Sequence, residues 1–322
     1  MSLTVAVTGP TGTFGHGLMP LLEKESRVQR VIGVARSPFE PATRGWTKMT
    51  YRQGDVRNAD DLRAAFAGAD VVVHLAFLIA GGSREDTRAI NVTGTLQAFE
   101  AAAEAGATRF VYASSVAAYG FHPDNPVGMT EDWPVRPADR LFYAQEKAEL
   151  EQLLARAAQE HPTVDLYLLR PPVVVGPHAV GGKLPGKLGG VLETLLLRRS
   201  PLPLPVLVPD VPLQLIHEDD VGSALLQCAV GAGPAGAYNI AGSGVPTLPE
   251  LARVAGLRPI RLPARPAHAA ARLAARIPHL PSYAEWVEAL AMPAIMDTSR
   301  AERELGWRPQ WSALDAWRDT LA

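Results

Sequence analysis

Short runs of apolar residues, many of them β-branched, alternate with longer alanine-rich segments in the first half of the chain. Runs without polar interruption are typical of strands that helices cover on both faces. They predict strands at Leu3–Val7, Arg30–Ala35, Val71–Leu75, Arg109–Ala113 and Val164–Leu169, with helices at Gly15–Lys24, Ala59–Ala67, Ile90–Ala105 and Phe142–Gln159. Strands that alternate with helices in this way predict an α/β fold with a doubly wound parallel sheet.

The pattern changes after residue 176, where glycine and proline become frequent. These residues interrupt regular elements, so we expect loops and short helices over 177–212 rather than another sheet layer. Strand-like runs reappear near 213–217 and 237–241. We therefore expect one domain over 1–176, to which these two strands return, and a smaller discontinuous region formed by 177–212 and 242–322.

Composition and charge narrow the classes of protein to consider. The 322 residues are 47% hydrophobic and 20% charged, which is ordinary for a globular protein. The net charge of -2 gives no indication of a nucleic-acid partner. The longest apolar run, 71–80, is about half of the ~20 residues that a membrane span needs. With no signal segment before Val5 and only one cysteine, Cys228, we expect a cytoplasmic protein.

A glycine-rich loop follows the first predicted strand directly. Glycines at three-residue steps permit a tight turn and a close approach of the backbone to a pyrophosphate, with the next helix presenting its N-terminal amides to the anion. Because the motif lies between a strand and a helix, it predicts a dinucleotide site rather than an ordinary turn. The residues expected to bind are Gly9, Thr11, Gly12, Thr13, Phe14 and Gly15.

The end of the second predicted strand bears on the choice of cofactor. NAD-binding folds usually carry an acid there that holds the ribose hydroxyls. This chain has Ala35-Arg36-Ser37 instead. Ala35 offers no acceptor, whereas Arg36 would bind a 2′-phosphate through charge-assisted hydrogen bonds, with Ser37 beside it. NADP is therefore the preferred cofactor and NAD the alternative; the competing interpretation is that Arg36 is a solvated loop residue.

Tyr143 and Lys147 are four residues apart, which places a phenol and an ammonium group on one helix face. A phenol is a poor base at neutral pH, but a nearby cation stabilises its phenolate.

Ser114 and Ser115 follow the strand Arg109–Ala113, at the edge where open α/β sheets bind ligands. A hydroxyl there would bind a substrate oxygen, although a turn serine is equally common.

His217-Glu218-Asp219-Asp220 is the one sequence that suggests a metal site. Adjacent residues on an extended segment point to opposite faces and rarely converge on one ion. We therefore expect no metal, and we expect the acids to cap a helix that begins near Val221.

The chain resembles the extended short-chain dehydrogenase/reductase family, also called the NAD(P)-dependent epimerase/dehydratase family. The motifs that carry the resemblance are spread over nearly the whole chain. They are Gly9–Gly15, Gly54-Asp55-Val56, Val71–Ala76, Asn91–Thr95, Val111–Ser115 with Tyr119-Gly120, Tyr143–Lys147, Leu169-Arg170-Pro171 with Gly176-Pro177, and Leu305–Pro309.

The resemblance implies a Rossmann-type doubly wound sheet with a smaller, discontinuous C-terminal substrate-binding region. It implies that Tyr143 is the general acid/base, that Ser115 polarises the reacting oxygen, and that Lys147 lowers the pKa of Tyr143 while holding the nicotinamide ribose. It also implies that Asp55 contacts the adenine. The further implied cofactor contacts are Val56, Leu75, Ala76, Asn91 and Pro171; Asn91 is as well explained by a bond at a helix end.

Two positions depart from the pattern of nucleotide-sugar epimerases. Those enzymes typically have an asparagine that contacts the substrate diphosphate at the position of Val173 in this chain. They typically have an arginine at the position of Leu213. Without that amide and that cation, the negative charge of a bound diphosphate would be poorly compensated. These departures argue against a nucleotide-sugar substrate.

We therefore expect an NAD(P)-dependent oxidoreductase that moves hydride between the nicotinamide and a secondary alcohol or ketone carbon. The expected pocket is apolar, with Phe77, Leu78, Ser115 and Val173 among its residues. One alternative is a sugar or nucleotide-sugar epimerase or dehydratase. An alternative of another class is a non-catalytic NADP-binding regulator, which would need the glycine loop and Asp55 but not the tyrosine and lysine.

The helices Asn91–Ala105 and Phe142–Gln159 correspond to those through which relatives of this type commonly form dimers. Leu150, Leu153 and Leu154 add apolar surface to the second helix. We therefore expect a homodimer.

Overall fold

The central element of the computed structural model is a seven-stranded sheet in which every pair of neighbours is parallel. The structure describes residues 2–79, 83–179, 205–263, 286, 292 and 294–322. The sheet strands are β1 (Leu3–Thr8), β2 (Val28–Ala35), β3 (Met49–Gln53), β4 (Val71–His74), β5 (Arg109–Ala113), β6 (Asp165–Arg170) and β10 (Gly236–Asn239). Their order is β10-β6-β5-β4-β1-β2-β3, so the order reverses between β1 and β4, where such sheets bind ligands at their carboxyl ends.

Alternating side chains along the strands enter two separate cores. Val5 and Val7 of β1 belong to one core, and Ala6 between them belongs to the other. Because both faces of the inner strands β1, β4 and β5 are mostly buried, these strands are largely apolar. This confirms the predicted doubly wound parallel sheet.

Helices cover both faces of the sheet. They are α1 (Thr13–Lys24), α2 (Ala59–Phe66), α3 (Arg84–Arg88), α4 (Gly94–Glu104), α5 (Phe142–Glu160), α6 (Glu218–Ala229), α7 (Leu248–Val254), α8 (Ser299–Glu304) and α9 (Ala313–Thr320), with a π-helical turn at Ala89–Thr93 and 3₁₀ turns at Pro41–Arg44 and Val116–Tyr119. Buried residues of α1, α6 and α8 line the first core, and those of α2, α4 and α5 line the second.

The second half departs from the sequence prediction in two respects. A strand near 237–241 does return to the sheet, as β10 beside β6. The strand near 213–217, however, is β9 (Leu215–His217), which pairs with β7 (Val173–Val175) in a separate sheet. The expectation of no further sheet over 177–212 was also wrong, because β8 (Pro205–Pro209) pairs with β11 (Arg258–Leu262). Residues 180–204 and most of 264–293, which complete the expected substrate-binding region, lie outside the described residues.

The edge strand β3 was not predicted. Met49 is its one buried side chain, Tyr51 is half-buried, and the other three are polar and exposed, so the strand lacks the apolar run that marks the inner strands. Over the described ranges, no helix is both long enough and apolar enough to cross a membrane.

Candidate active site

The glycine-rich loop joins β1 to α1 and is built almost entirely from backbone. Gly9 has φ +68°, and a Cβ on it would lie 3.1 Å from the Ala76 nitrogen. A Cβ on Gly15 would lie 2.0 Å from the Pro10 carbonyl oxygen. Helix α1 starts at Thr13 behind Gly12, without a capping side chain. Glycine at positions 9 and 15 is therefore required by the close approach of backbone to backbone, as expected in a turn of this kind. The pyrophosphate contact of the loop remains a prediction.

The residues after β4 are hydrogen-bonded to Thr8, just before this loop. The Thr8 hydroxyl accepts hydrogen bonds from the backbone nitrogens of Leu75 and Ala76, both at 3.2 Å. The structure thus brings Leu75 and Ala76 against Gly9. The cofactor contact expected of these two residues remains a prediction. The same loop is linked to the second half of the chain, because the Thr13 hydroxyl donates to the His178 carbonyl oxygen at 3.1 Å.

Arg36 and Ser37 lie exposed beyond the end of β2. The Gln53 amide donates to the Arg36 carbonyl oxygen at 2.9 Å, and the Tyr51 hydroxyl donates to the Ser37 carbonyl oxygen, so the backbone here is held while the side chains face solvent. An exposed guanidinium group at this position fits a 2′-phosphate, and the glycine loop fits the rest of a dinucleotide.

Asp55 lies close enough to Arg36 for the two charges to interact. Its carboxylate already accepts bonds from Arg57, with 2.6 Å between Nη2 and Oδ2. Those bonds are the main cause of a lowered pKa at Asp55, with a smaller contribution from Arg36. Val56, next to it, is buried against Gly94 at the start of α4. The adenine contact expected of Asp55 and Val56 remains a prediction.

Ser115 and Tyr143 meet at the carboxyl edge of the sheet. Ser115 follows β5, and its hydroxyl caps the next 3₁₀ turn by accepting a bond from the Ala117 nitrogen at 3.1 Å. Tyr143 lies in the first turn of α5, close enough to Ser115 for that hydroxyl to act on its pKa. Burial raises the pKa of Tyr143 to about 12, and the nearby Ser115 hydroxyl lowers it only in part. The protein alone therefore holds a proton on the Tyr143 hydroxyl.

Lys147 is buried one helical turn further along α5. Its Nζ donates to the Tyr112 hydroxyl at 2.9 Å and to the Ala113 carbonyl oxygen at 2.7 Å, and lies 3.6 Å from the centre of the Phe77 ring. Burial lowers the pKa of Lys147 to about 7, against the raising influence of Glu151 and Glu146. The expected lowering of the Tyr143 pKa by Lys147 is not found: burial raises that pKa, and the one opposing contribution comes from Ser115.

The two serines after β5 have different surroundings. Ser114 donates to Glu151, which also accepts from Arg170 at 2.9 Å between Nε and Oε1. Arg170 in turn donates to the Tyr119 hydroxyl at 2.6 Å. This buried network supports the fold behind the site, and it leaves Ser115 as the serine beside Tyr143. Sequence reasoning did not find the network, because its members come from separate parts of the chain.

Aromatic and apolar side chains surround Tyr143. The Phe77 ring meets it edge-on at 5.6 Å between centroids, and the Trp286 ring lies at 5.4 Å. Met292 packs in the same cluster. Phe77 was expected as a pocket residue, whereas Trp286 and Met292 were missed because no local motif marks them.

Asn91 holds the segment that carries Phe77. Its side chain accepts a bond from the Leu78 nitrogen at 2.8 Å and donates to the Leu78 carbonyl oxygen at 2.9 Å. It also donates to Glu146 at 2.8 Å. These bonds go to Leu78 and Glu146 rather than to a helix end, so they differ from the second explanation of Asn91. The cofactor contact expected of Asn91 remains a prediction. Leu78 itself packs partly against the second core.

Val173 and Leu213, the two departures from the nucleotide-sugar pattern, lie in the same apolar cluster. Val173 is in β7, and its partner in β9 is Leu215. Pro171, just before, accepts a bond from the Val116 nitrogen at 2.9 Å and so supports the turn after Ser115. The expected cofactor contact of Pro171 remains a prediction.

The acidic sequence at 217–220 is dispersed among separate partners. His217 rather than an acid caps α6, by accepting a bond from the Asp219 nitrogen at 3.1 Å, and the helix begins at Glu218 rather than near Val221. Asp220 accepts bonds from the backbone of Gln310 and Trp311. Within the described ranges, no group of three or more His, Cys, Asp or Glu residues is placed to hold a metal ion.

A dinucleotide cradle beside a tyrosine, serine and lysine defines the class: an enzyme that uses a nicotinamide cofactor. The profile of the NAD dependent epimerase/dehydratase family matches residues 5–241. The chain belongs to that family, which confirms the resemblance found in the sequence.

Three similar proteins illustrate the range of the family. An uncharacterized protein of Mycobacterium tuberculosis is 29% identical, over 98% of this chain and 82% of its own length. The 3 beta-hydroxysteroid dehydrogenase type 7 of Rattus norvegicus is 34% identical over 170 residues, covering 48% of this chain and 49% of the rat protein. The UDP-glucose 4-epimerase of Thermus thermophilus, solved with NAD, has the same fold at 21% identity, with a TM-score of 0.71 over 99% of this chain and 98% of that one.

Proposed function

We propose that this protein is an NADP(H)-dependent oxidoreductase that interconverts a secondary alcohol and a ketone on an apolar small molecule. The observation that carries the proposal is the position of Tyr143: it lies near Ser115, and its ring packs against the rings of Phe77 and Trp286. A proton donor in apolar surroundings suits a carbonyl whose remainder is itself apolar.

In this proposal Tyr143 gives its hydroxyl proton to the ketone oxygen, and takes a proton from the alcohol in reverse. Ser115 donates to the same oxygen and fixes its position. Lys147 supplies positive charge behind the phenol and is held there by Tyr112 and Ala113. The bound nicotinamide supplies or accepts the hydride. Phe77 and Trp286 exclude water from the reacting atoms.

The cofactor preference rests on Arg36. Its exposed guanidinium group, beside Ser37, would bind the 2′-phosphate of NADP, and no acid stands at Ala35 to bind both ribose hydroxyls of NAD. NAD remains the alternative cofactor of the same site.

The substrate class follows from two apolar features. Val173 and Leu213, at the positions where the resemblance places polar contacts to a diphosphate, each pack against one apolar cluster. The matching rat relative is a hydroxysteroid dehydrogenase by name. A rigid hydrophobic alcohol or ketone is therefore the substrate that we propose.

The second candidate is an epimerase or dehydratase, in which the cofactor is reduced and reoxidised on one substrate. It is favoured by the fold shared with a UDP-glucose 4-epimerase. A non-catalytic NADP-binding regulator would not require a buried lysine beside the tyrosine, which the chain nevertheless keeps.

Absorbance at 340 nm distinguishes the three candidates. The protein is incubated with NADPH or NADP and a panel of hydrophobic ketones and alcohols, with sugar nucleotides as a second panel. Net cofactor turnover on the first panel supports the proposal. Isomerisation or dehydration of a sugar nucleotide without net cofactor change supports the second candidate, and cofactor binding without any turnover supports the third.

We also propose a homodimer formed through α4 and α5. The structure removes part of the original argument, because Leu150 and Leu154 are fully buried in the protomer's own core and Leu153 is partly buried. Most alanines of the two helices are buried as well, so the proposed dimer rests on the resemblance. Light scattering at micromolar concentration is expected to give twice the chain mass of 34.4 kDa; a monomer mass would refute the dimer.

A further inference from the structure

The ring of Phe77 contacts both of the site residues on α5. Its centre lies 3.6 Å from Nζ of Lys147, with the ammonium group over the face of the ring. The same ring meets the Tyr143 ring at 88°, with 5.6 Å between the two centroids. A cation within about 6 Å of a ring centroid is attracted by the negative face of the ring, so the contact with Lys147 is a close one. One side chain therefore touches the cation and the phenol together.

Lys147 has no charged hydrogen-bond partner among the described residues. Its side chain is buried, and Nζ donates to the Tyr112 hydroxyl at 2.9 Å and to the Ala113 carbonyl oxygen at 2.7 Å, which are both neutral groups. An ammonium group carries three N–H donors, so one is left to face the ring of Phe77. The Tyr112 ring is also near, but its centre lies 4.6 Å from Nζ. Phe77 thus makes the closer contact of ring and cation.

The acids near Lys147 are hydrogen-bonded to other groups. Glu151 accepts three bonds from Arg170, and Glu146 accepts one from the Asn91 amide at 2.8 Å. Their charges raise the pKa of Lys147, that of Glu151 more than that of Glu146, but burial outweighs both and lowers the pKa to about 7. Within the described ranges, neither carboxylate makes an ion pair with Nζ, so neither fixes its position by direct contact.

Neutral groups complete the surroundings of Lys147. His74, on β4, is bonded to two threonines and is neutral at pH 7, because burial lowers its pKa to about 3. The phenol of Tyr112 is neutral as well, since burial raises its pKa. These two groups therefore do not titrate near the pKa of Lys147.

The backbone on both sides of Phe77 is held in place. The Ala76 nitrogen donates to the Thr8 hydroxyl at 3.2 Å, and the Leu78 nitrogen donates to the Asn91 side-chain oxygen at 2.8 Å. The Asn91 amide also donates to the Leu78 carbonyl oxygen at 2.9 Å. The segment after β4 therefore presents the Phe77 ring to α5 from a fixed backbone.

We infer that Phe77 is a positioning residue whose ring face holds the Lys147 ammonium group beside Tyr143, in the place of a charged partner. The inference rests on the proposed function for its effect on the reaction, but the contact of ring and ammonium group does not. The negative face of the ring stabilises the charged form of a lysine that burial disfavours. If Phe77 only filled space, the electronic character of its ring would have no effect on Lys147.

The direct test changes the electronic character of the ring and keeps its shape. Pentafluorophenylalanine is incorporated in place of Phe77 through an expanded genetic code, so that the negative face is lost. The chain has five lysines, so protein labelled at the lysine side-chain carbon gives few NMR signals, and Lys147→Met identifies the one required. The pKa of Lys147 should fall by about 0.4–1.5 pH units relative to the unaltered protein.

The matched control places the same fluorinated residue at Phe99, which is buried in the second core against Phe110. There the pKa of Lys147 should stay nearly unchanged. Phe77→Tyr keeps an aromatic face and should also leave that pKa nearly unchanged. No fall with the fluorinated ring in place of Phe77, or an equal fall with the one in place of Phe99, would overturn the inference.

The second measurement follows activity and needs the identified substrate. The loss of activity at high pH should begin at lower pH in Phe77→Leu, because Lys147 then loses its proton earlier, and Phe77→Tyr should keep the original profile. A lower rate in Phe77→Leu with an unchanged pH profile would mean that Phe77 only packs, and the inference would fail. If no substrate is turned over but the NMR titration shifts, the proposed function fails and the positioning contact stands.

Discussion

The two halves of the candidate site are built in different ways. The cofactor half consists of backbone: a turn of glycines, the amides at the start of α1 and the end of β4, all within the first 80 residues. The substrate half consists of side chains from distant segments, with Phe77, Tyr143 and Trp286 in contact although more than 200 residues separate the first from the last. A site made of backbone is encoded locally, whereas a site made of side chains is assembled only by the fold.

The largest expected effect on activity comes from a change in the substrate half, at Tyr143. Tyr143→Phe keeps the ring and its contacts with Phe77 and Trp286 but removes the proton donor. We expect the turnover number to fall by about 10²–10⁴-fold, while NADP affinity stays within a few-fold. Steady-state kinetics with calorimetry measures both. Lys147→Ala is the comparison, since it should reduce turnover and cofactor affinity together; near-full activity in Tyr143→Phe would mean that another group gives the proton.

The next largest effect is expected in the cofactor half, at two glycines of the loop. A Cβ on Gly15 would overlap the Pro10 carbonyl oxygen, so Gly15→Ala should destabilise the free protein by about 1–3 kcal/mol and weaken NADP binding. At Gly12 the nearest atom would be 3.4 Å away, so Gly12→Ala should leave the melting temperature nearly unchanged and still weaken NADP binding. Thermal melts with and without NADP separate the two cases. If both variants bind NADP normally, the loop is not the pyrophosphate site.

The sequence predicted the strand, glycine loop and helix of the cofactor half and the tyrosine, serine and lysine of the other half, but not all of the aromatic residues around them. The elements at 3–24 and the spacing of Tyr143 and Lys147 are local signals, which neighbouring residues carry. Trp286 and Met292 were out of reach, because nothing near them in the chain indicates contact with Tyr143. The raised pKa of Tyr143 was also missed, since burial depends on the whole fold.

A smaller effect is expected at Arg36, the exposed residue at the edge of the cofactor half. Arg36→Ala should weaken NADP binding by about 10- to 100-fold, because a charge-assisted contact to the 2′-phosphate is lost, and leave NAD binding almost unchanged. Calorimetry with both cofactors measures the gap between them. Arg44→Ala, an exposed arginine in the following 3₁₀ turn, serves as the control for a general loss of positive charge. NAD binding as tight as NADP binding in the unaltered protein would contradict the assignment.

The central claim, net hydride transfer to a ketone with Tyr143 as the proton donor, is tested most directly by following the hydride itself. NADPH deuterated at the transferring position is supplied with a ketone from the panel, and the product is examined by mass spectrometry. The account predicts one deuterium on the carbinol carbon for each NADPH consumed, and almost none with Tyr143→Phe over the same time. A product that carries no deuterium, or a substrate that is isomerised while NADPH is left unchanged, would contradict it.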